Sequence, residues 1–200
     1  MPDYQHSCFI SYKHPPTPDS LEATKHFWLE FVEAFERKVN TYRQVALLTY
    51  RDVSLRSMGG VDYPAELARN LCRSVCMIAI LTHEYMKEPW CRGEWRAMEQ
   101  LEKARKIDRK DTGCIIPVLF RGEPEKAREF CGTRQFLDFR GIIRPNIQLD
   151  TVESRQRVEA IGAHVAKLAR LVSPVDCSNF RIDVGEEVAE LTFDDPNPLV

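Results

Sequence analysis

Short apolar segments alternate with amphipathic segments along most of this chain, and that alternation restricts its fold more than any other feature. Five apolar segments are candidate β-strands, at residues 7–12, 45–49, 75–81, 114–120 and 136–139. Amphipathic segments predict five helices between and after them, at about residues 20–40, 65–72, 90–106, 123–130 and 150–172. The order predicts an α/β fold of the flavodoxin-like, three-layer kind, with a central five-stranded parallel sheet and helices on both faces.

Three local patterns refine this prediction. Residues 75–81 are apolar at every position, which is typical of a parallel strand buried on both faces. Pro117 favours an edge or a bulge for the fourth strand, and Asp150 with Glu153 predicts a capping box before the last helix. Ligands of such sheets bind outside the carboxyl ends of the strands, so we search residues 12–19, 49–62 and 82–94 for a site.

The net charge of −2 is the sum of two unlike parts. Residues 173–200 hold seven acidic residues and one basic residue, a net of −6, whereas residues 1–172 sum to +4. We therefore predict a folded domain over residues 1–172 and an acidic C-terminal extension over residues 173–200. Phe180, Ile182 and Val184 alternate, which favours an added strand that packs on the domain. The spread of Lys and Arg over a weakly basic body argues against a nucleic-acid partner.

Targeting and metal-binding signals are missing from this sequence. No apolar run reaches the roughly 18–20 residues of a membrane span, and the first residues do not resemble a signal peptide. The seven cysteines are scattered without zinc spacing, and His14, His26 and His83 have no companion ligands. We expect a cytoplasmic protein with reduced thiols, no metal site and no membrane partner.

Several chemistries common on this architecture are excluded because the motifs that they require are absent. The chain has no phosphate-binding P-loop, no GxGxxG after the first strand and no GxSxG nucleophile elbow. The first and third strands end in Ser-Tyr-Lys and Leu-Thr-His rather than in the acidic residues of a phospho-receiver domain.

Three segments at the expected strand ends carry a family resemblance. They are Phe-Ile-Ser-Tyr at 9–12, Arg51-Asp52 before Met-Gly-Gly at 58–60, and Tyr85 followed by Trp90-Cys91 and Glu94. Together they resemble the three-box pattern of a Toll/interleukin-1 receptor (TIR) domain over about residues 5–172. Met58 replaces the proline of the usual Pro-Gly turn in the second segment, which corresponds to the BB loop of that family. Phe-Leu-Asp-Phe at 136–139 is a weaker match to the family's third box.

The enzymatic branch of the family implies an NAD glycohydrolase or cyclase, in which Glu94 of the WxxxE pattern is the catalytic residue. The chemistry suits one carboxylate, because nicotinamide leaves NAD as a neutral molecule and positive charge develops on the ribose. NAD is then the substrate, and the resemblance implies no further cofactor. Trp90 lies four residues before Glu94, hence on the same helix face, where an indole can stack on an aromatic base.

Further substrate-binding residues are expected at the first two strand ends, namely Ser11, Tyr12, Lys13, Arg51 and Asp52. Lys13 or Arg51 offers cationic donors for the pyrophosphate, and Asp52 is also suited to holding its own loop. The sequence leaves structural roles open for all of them. Tyr12 and Trp90 are equally suited to packing in the core, and a helical glutamate such as Glu94 is often only a solvated charge.

Two classes of function follow from the resemblance. One is an enzyme that releases nicotinamide and makes ADP-ribose or a cyclic ADP-ribose-type signal, similar to the TIR enzyme of Thoeris antiphage defence, whose product activates a separate effector. The other is a non-catalytic module that self-associates with other TIR domains through the BB loop at residues 51–62. That loop includes the candidate contact residues Ser57, Met58, Gly59 and Gly60.

Overall fold

Five parallel strands form the centre of the molecule. The computed structural model describes residues 4–13, 32–41, 48–51, 63–107, 113–140 and 151–184. Its strands are β1 (His6–Tyr12), β2 (Leu48–Arg51), β3 (Ser74–Leu81), β4 (Ile115–Leu119) and β5 (Leu137–Asp138). They pair in the order β2-β1-β3-β4-β5, and every pair is parallel. The predicted flavodoxin-like sheet is confirmed.

Helices cover both faces of this sheet. They are α1 (residues 32–41), α2 (Tyr63–Cys72), α3 (Pro89–Ala104), α4 (Pro124–Cys131) and α5 (Val152–Leu171). The strand order reverses direction at β1, so right-handed crossovers put α2, α3 and α4 on one face and α1 on the other. Ring contacts agree with this division. Phe130 of α4 meets Trp95 of α3, whereas Phe35 of α1 and Arg157 of α5 both meet Phe139.

The core follows from the apolar patterning of its elements. All eight residues of β3 are buried, as its uninterrupted apolar run predicts for a central strand. The spacing of Val158, Ile161, Val165 and Leu168 puts them on one face of α5, and all four are buried. Full burial of each such side chain contributes about 1.5–3 kcal/mol relative to an exposed one.

Two expected details of these elements are wrong. The second strand reaches Arg51 instead of ending at residue 49, because Tyr50 and Arg51 continue the pairing with Phe9 and Ile10. The last helix is capped by Thr151 rather than Asp150, since Thr151 Oγ1 accepts a hydrogen bond from the Ser154 amide at 3.2 Å. Residues 14–31 and 42–47, where other element boundaries were expected, lie outside the described residues.

Pro117 lies in β4 without either feature expected for it. The strand is flanked by β3 and β5, and Pro117 stands opposite Ala79 in an unbroken register. Leu119 faces β5, because its carbonyl accepts from the Phe139 amide at 2.8 Å. Pro117, two residues earlier, faces the same way, and the pairing with β5 begins only at Val118. The missing N–H therefore falls where the described part of β5 requires no donor.

Residues 173–184, called the strap below, pass from the end of α5 along α2 and end against α3. They form no helix or strand, so the added strand expected at Phe180 to Val184 is wrong. The reason is their neighbour, which is the face of a helix rather than the edge of a sheet. A Cβ on Gly93 would come within 3.0 Å of both Ile182 and Val184, and Arg96 Nη2 donates to the Asp183 carbonyl at 3.0 Å. Gly93 is therefore required for the close approach of the strap.

A disulfide between Cys72 and Cys177 joins the end of α2 to the strap. The expectation that all thiols are reduced is wrong for these two, because the fold brings residues 105 apart in sequence to a Cα–Cα distance of 5.9 Å. The other five cysteines are buried free thiols. Burial raises the pKa of Cys131 to about 12 and that of Cys114 to about 11, so these side chains pack as small apolar groups.

In the part of the chain that the structure describes, no helix combines the length and apolar character needed to cross a bilayer.

Candidate active site

A cluster of buried polar side chains lies at the carboxyl edge of the sheet. Ser11 is near the end of β1, Tyr85 is in the turn after β3, and Glu94 is in the second turn of α3. Ser11 Oγ donates a hydrogen bond to Glu94 Oε2 and lies 2.8 Å from the Tyr85 hydroxyl. All three are buried: Ser11 is 1% exposed, Tyr85 0% and Glu94 7%. This edge is where parallel α/β sheets bind ligands.

The turn between β3 and α3 explains why Tyr85 points inward. Thr82 Oγ1 accepts from the Tyr85 amide at 3.0 Å, and the Glu88 amide donates to the Glu84 carbonyl at 3.0 Å. Pro89 then starts α3, where its ring favours the helical φ and its missing N–H costs nothing. The turn hydrogen bonds and Pro89 fix the first turns of α3 beside β1, and Glu94 therefore reaches Ser11.

Each hydrogen bond in this cluster has a defined donor and acceptor. A serine hydroxyl has one proton, and Ser11 gives it to Glu94, so Tyr85 must donate to Ser11. Burial raises the pKa of Tyr85 well above its usual value, with the neighbouring Cys91 and Glu94 adding to the effect. The phenol therefore stays protonated at neutral pH. The result is a hydrogen-bond chain from Tyr85 through Ser11 to one oxygen of Glu94.

Cys91 lies close to this cluster but is unsuited to nucleophilic attack. Burial raises the pKa of its thiol well above the usual value, and the carboxylates of Glu94 and Glu88 add to the rise. The thiol is therefore protonated at neutral pH, and a thiolate nucleophile is not available there. The carboxylate of Glu94 is therefore the candidate reactive group of this cluster.

Aromatic and charged side chains surround the cluster. Trp90 is half-buried on the same face of α3 as Glu94, and its ring lies 6.2 Å from that of Tyr63 in an edge-to-face contact. Lys13, directly after β1, forms an ion pair with Glu88 at the start of α3. This contact links the end of β1 to the same helix from which Glu94 projects.

The structure brings some of the predicted residues together and separates others. Ser11, Trp90 and Glu94 share the α3 side of the carboxyl edge. Tyr12 does not join them, because successive residues of a strand point to opposite faces, and its side chain is 5% exposed in the core. Arg51 ends β2, but its side chain is not among those described. Asp52, Ser57, Met58, Gly59 and Gly60 lie outside the described residues.

Three residues of this region received no role from the sequence. Tyr85 is part of the third motif, and only its contact with Ser11 reveals what it does. Glu88 precedes Pro89, a position that marks a helix start but does not identify Lys13 as its partner. Tyr63 begins α2, and no sequence pattern connects it with Trp90.

Comparison with known sequences decides the family. A sequence model of the TIR domain matches residues 9–152, which include four strands in full and most of β1. The chain belongs to the TIR domain family. No curated protein matches the chain in a comparable search. The match also covers α3, so the Ser11–Glu94 pair lies inside the TIR domain.

Two further observations concern other possible ligand sites among the described residues. Among the described residues, no group of three or more His, Cys, Asp or Glu side chains is placed to hold a metal ion. A cavity of about 610 Å³ lies at the opposite, amino edge of the sheet, between the residues before β1, α2 and the strap. Its size suits a small ligand, but Glu94 is not among its lining residues. The acidic group and its hydroxyl partners therefore define the candidate site, rather than that cavity.

Proposed function

We propose that this TIR domain cleaves NAD at the bond between nicotinamide and ribose, with Glu94 as the catalytic carboxylate. The observation that carries the proposal is the Ser11–Glu94 hydrogen bond at the carboxyl edge of β1, with Trp90 on the same face of α3. A buried carboxylate held at the ligand-binding edge of an α/β sheet is suited to chemistry on a bound substrate.

The reaction needs little besides that negative charge. When the C–N bond breaks, its electron pair moves to the nicotinamide ring and neutralises it, while the ribose becomes oxocarbenium-like. The Glu94 carboxylate stabilises that positive charge in the transition state. Water then attacks the ribose carbon and loses a proton, which gives ADP-ribose. Attack by a nitrogen of the adenine in the same molecule gives a cyclic ADP-ribose-type product instead.

The neighbouring side chains are assigned to positioning and binding. Tyr85 and Ser11 hold Glu94 Oε2 through the hydrogen-bond chain, and we assign to them the orientation of the carboxylate towards the substrate. Trp90 offers a partly exposed indole for stacking on a base. The Lys13 ammonium has three donors, so it can keep its contact with Glu88 and still meet a phosphate oxygen. Arg51 and Asp52, at and after the end of β2, remain proposed substrate-binding residues.

The biological setting of the proposal rests on the family resemblance. A cyclic product suits a signal that a separate effector protein detects, as in Thoeris-type antiphage immunity in the bacterial cytoplasm. Self-association through residues 51–62 is the family property that we expect to accompany the activity.

The test is nicotinamide release from NAD by the purified full chain, followed by chromatography beside Glu94→Gln. We expect the substitution to reduce the rate by about 10²–10³-fold, the size of effect seen when one charge-stabilising group is removed. Glu99→Gln is the matched control, since Glu99 lies on the same helix but pairs with Arg134 instead of Ser11. It should retain the activity. The identity of the second product distinguishes hydrolysis from cyclisation.

Two results would contradict the proposal. Equal rates for the unchanged chain and Glu94→Gln would remove Glu94 from the mechanism. No release by the unchanged chain, even when it is concentrated, crowded or given a phage trigger, would remove the enzymatic function. Concentration-dependent self-association without turnover would then favour the TIR interaction module.

A further inference from the structure

A basic groove of about 560 Å³ lies beside α3, between that helix, α4 and the turn after β3. Its walls carry Lys87, Arg92, Arg96 and Lys126, and its floor is formed by Met86, Trp95 and Phe130. His83 and Glu129 complete the lining, so four permanent positive charges face one negative charge. A groove with an apolar floor and cationic walls fits a partner that is both acidic and apolar.

The positive charges of this basic groove are available to a partner. In the regions that the structure describes, no ion pair involves Lys87 or Arg92, and both residues are exposed. Lys126 lies 3.1 Å from Glu123, but both side chains are exposed and such a pair contributes little. Arg96 Nη2 donates a hydrogen bond to the Asp183 carbonyl of the strap, so this groove residue also contacts the strap.

The strap leads the chain to this groove. Its covalent anchor, Cys177, is bonded to Cys72 at the end of α2, beside the amino edge of the sheet. From there the strap reaches Gly93 in the first half of α3, so it runs towards the carboxyl edge. Val184 packs at Gly93, and Arg92 and Arg96 are the adjacent groove residues on the same helix. Val184, the last described residue, therefore lies beside the wall of the basic groove.

The 16 residues that follow the strap have matching chemistry. Residues 185–200 contain five acidic residues and no Lys or Arg. Three of their five large apolar residues, Val188, Leu191 and Phe193, each stand directly beside an acidic residue. An extended chain of this length spans roughly 50 Å, which is long enough to reach across the groove from Val184.

We propose that residues 185–200 dock in the basic groove of the same chain. Their acidic side chains meet Lys87, Arg92 and Lys126, and Phe193 with its apolar neighbours covers the floor. The floor also touches the site described above, since Phe130 lies 4.8 Å from Trp95 and 6.1 Å from Tyr85 between ring centroids. The proposal does not depend on the cleavage of NAD.

Photo-crosslinking in the full chain tests this docking. Phe193 is replaced by p-benzoylphenylalanine, the protein is irradiated at low concentration, and the crosslinked peptides are mapped by mass spectrometry. We expect crosslinks within one chain to residues 83–96 or 126–130. The yield should fall at least about fivefold in the double variant Arg92→Glu with Lys126→Glu, and also when salt rises from about 50 to 500 mM, because screening weakens exposed charge pairs.

Two controls keep the result interpretable. The same photoreactive residue at Val152, which is 64% exposed on α5, should give no crosslink to the groove. Arg155→Glu, an exposed charge reversal on the opposite face of the sheet, should leave the Phe193 yield unchanged. Circular dichroism checks that each variant is folded.

Each alternative outcome overturns the proposal. Crosslinks that map elsewhere in the chain, or no crosslink at all, would show that residues 185–200 do not occupy the groove. Crosslinks between two chains would assign the groove to a second copy. A yield that survives both charge reversal and high salt would remove the electrostatic basis. None of these readouts uses NAD, so failure here is distinct from failure of the proposed activity.

Discussion

A glutamate is buried near each end of α3, but the two carboxylates have different kinds of hydrogen-bond partner. Glu94, near the carboxyl edge of the sheet, accepts from the Ser11 hydroxyl. Glu102, about 12 Å further along the helix, is fully buried and meets the Arg134 guanidinium with both oxygens, at 3.0 and 2.6 Å. It also accepts from the Cys114 amide at 2.7 Å. One carboxylate is oriented by a hydroxyl, and the other is fixed by a guanidinium and a backbone amide.

The surroundings extend this contrast. At the amino edge, Arg105 donates to the carbonyls of Cys72, Ser74 and Val75, and the Cys72–Cys177 disulfide lies beside them. Charge-assisted hydrogen bonds and a covalent bond therefore hold that edge. Burial of a carboxylate alone does not mark a functional site, because Glu102 is the more buried of the two. The partner groups and the edge of the sheet make the distinction.

The largest effect should come from exchanging each glutamate for glutamine. Glu102→Gln leaves the largely buried Arg134 guanidinium beside a neutral amide, and we expect a loss of about 3 kcal/mol in the free energy of unfolding. Glu94→Gln keeps an oxygen to which Ser11 can donate, so we expect a loss of no more than about 1 kcal/mol. Urea denaturation followed by circular dichroism measures both values. Equal losses for the two variants would contradict the contrast.

The sequence predicts the elements of this molecule better than the contacts between them. Periodicity finds β3 and α5 because each burial pattern repeats within a single element. The family motifs name Ser11 and Glu94 separately, but their hydrogen bond is not predicted, since the two residues are 83 apart in sequence. The Arg134–Glu102 pair and the disulfide leave no local signal at all, because they depend on how distant elements pack. Tyr12, also a motif residue, is 5% exposed in the core, in agreement with the packing role that the sequence left open for it.

A smaller effect should distinguish two hydrogen-bonded tyrosines, the buried Tyr85 at the carboxyl edge and the partly buried Tyr4 at the amino edge. Tyr85 donates to Ser11, and Tyr4 donates to the Ser173 carbonyl at 2.8 Å. Burial raises the pKa of Tyr4 to about 12, so both phenols are protonated donors at neutral pH. Tyr85→Phe and Tyr4→Phe should each lower the free energy of unfolding by about 1 kcal/mol. Only Tyr85→Phe should slow nicotinamide release, by about tenfold; an equal slowing in Tyr4→Phe would mean that the effect reports stability rather than positioning.

The smallest expected effect is a pH dependence of the free energy of unfolding that arises from His6 at the amino edge. Burial lowers the pKa of His6, and the nearby Arg73 lowers it further, against the opposing hydrogen bond to Asn70. Asn70 Nδ2 donates to the Glu66 carbonyl, so its oxygen faces His6 Nε2, and neutral His6 donates to it at 3.0 Å. The unfolded chain then binds the proton more readily than the folded one. Stability due to neutral His6 is present above about pH 6.5 and declines as the pH falls below that value.

Urea denaturation at pH 7.5 and pH 5 measures this decline. His6→Gln, which keeps a donor for Asn70 without a titrating group, should lose less stability over the same interval than the unchanged chain. Identical losses would remove His6 as the source.

The Cys72–Cys177 bond also divides the covalent chain into a closed ring and two open arms, residues 1–71 and 178–200. The ring, residues 72–177, contains β3, β4, β5 and α3 to α5, whereas β1 and β2 belong to the arm that precedes it. Because β1 pairs with β3, the boundary between arm and ring runs through the middle of the sheet. Ser11 and Lys13 come from the arm, and Glu94, Tyr85 and Glu88 come from the ring. The candidate site is thus an interface within one chain, complete only when the arm is folded onto the ring.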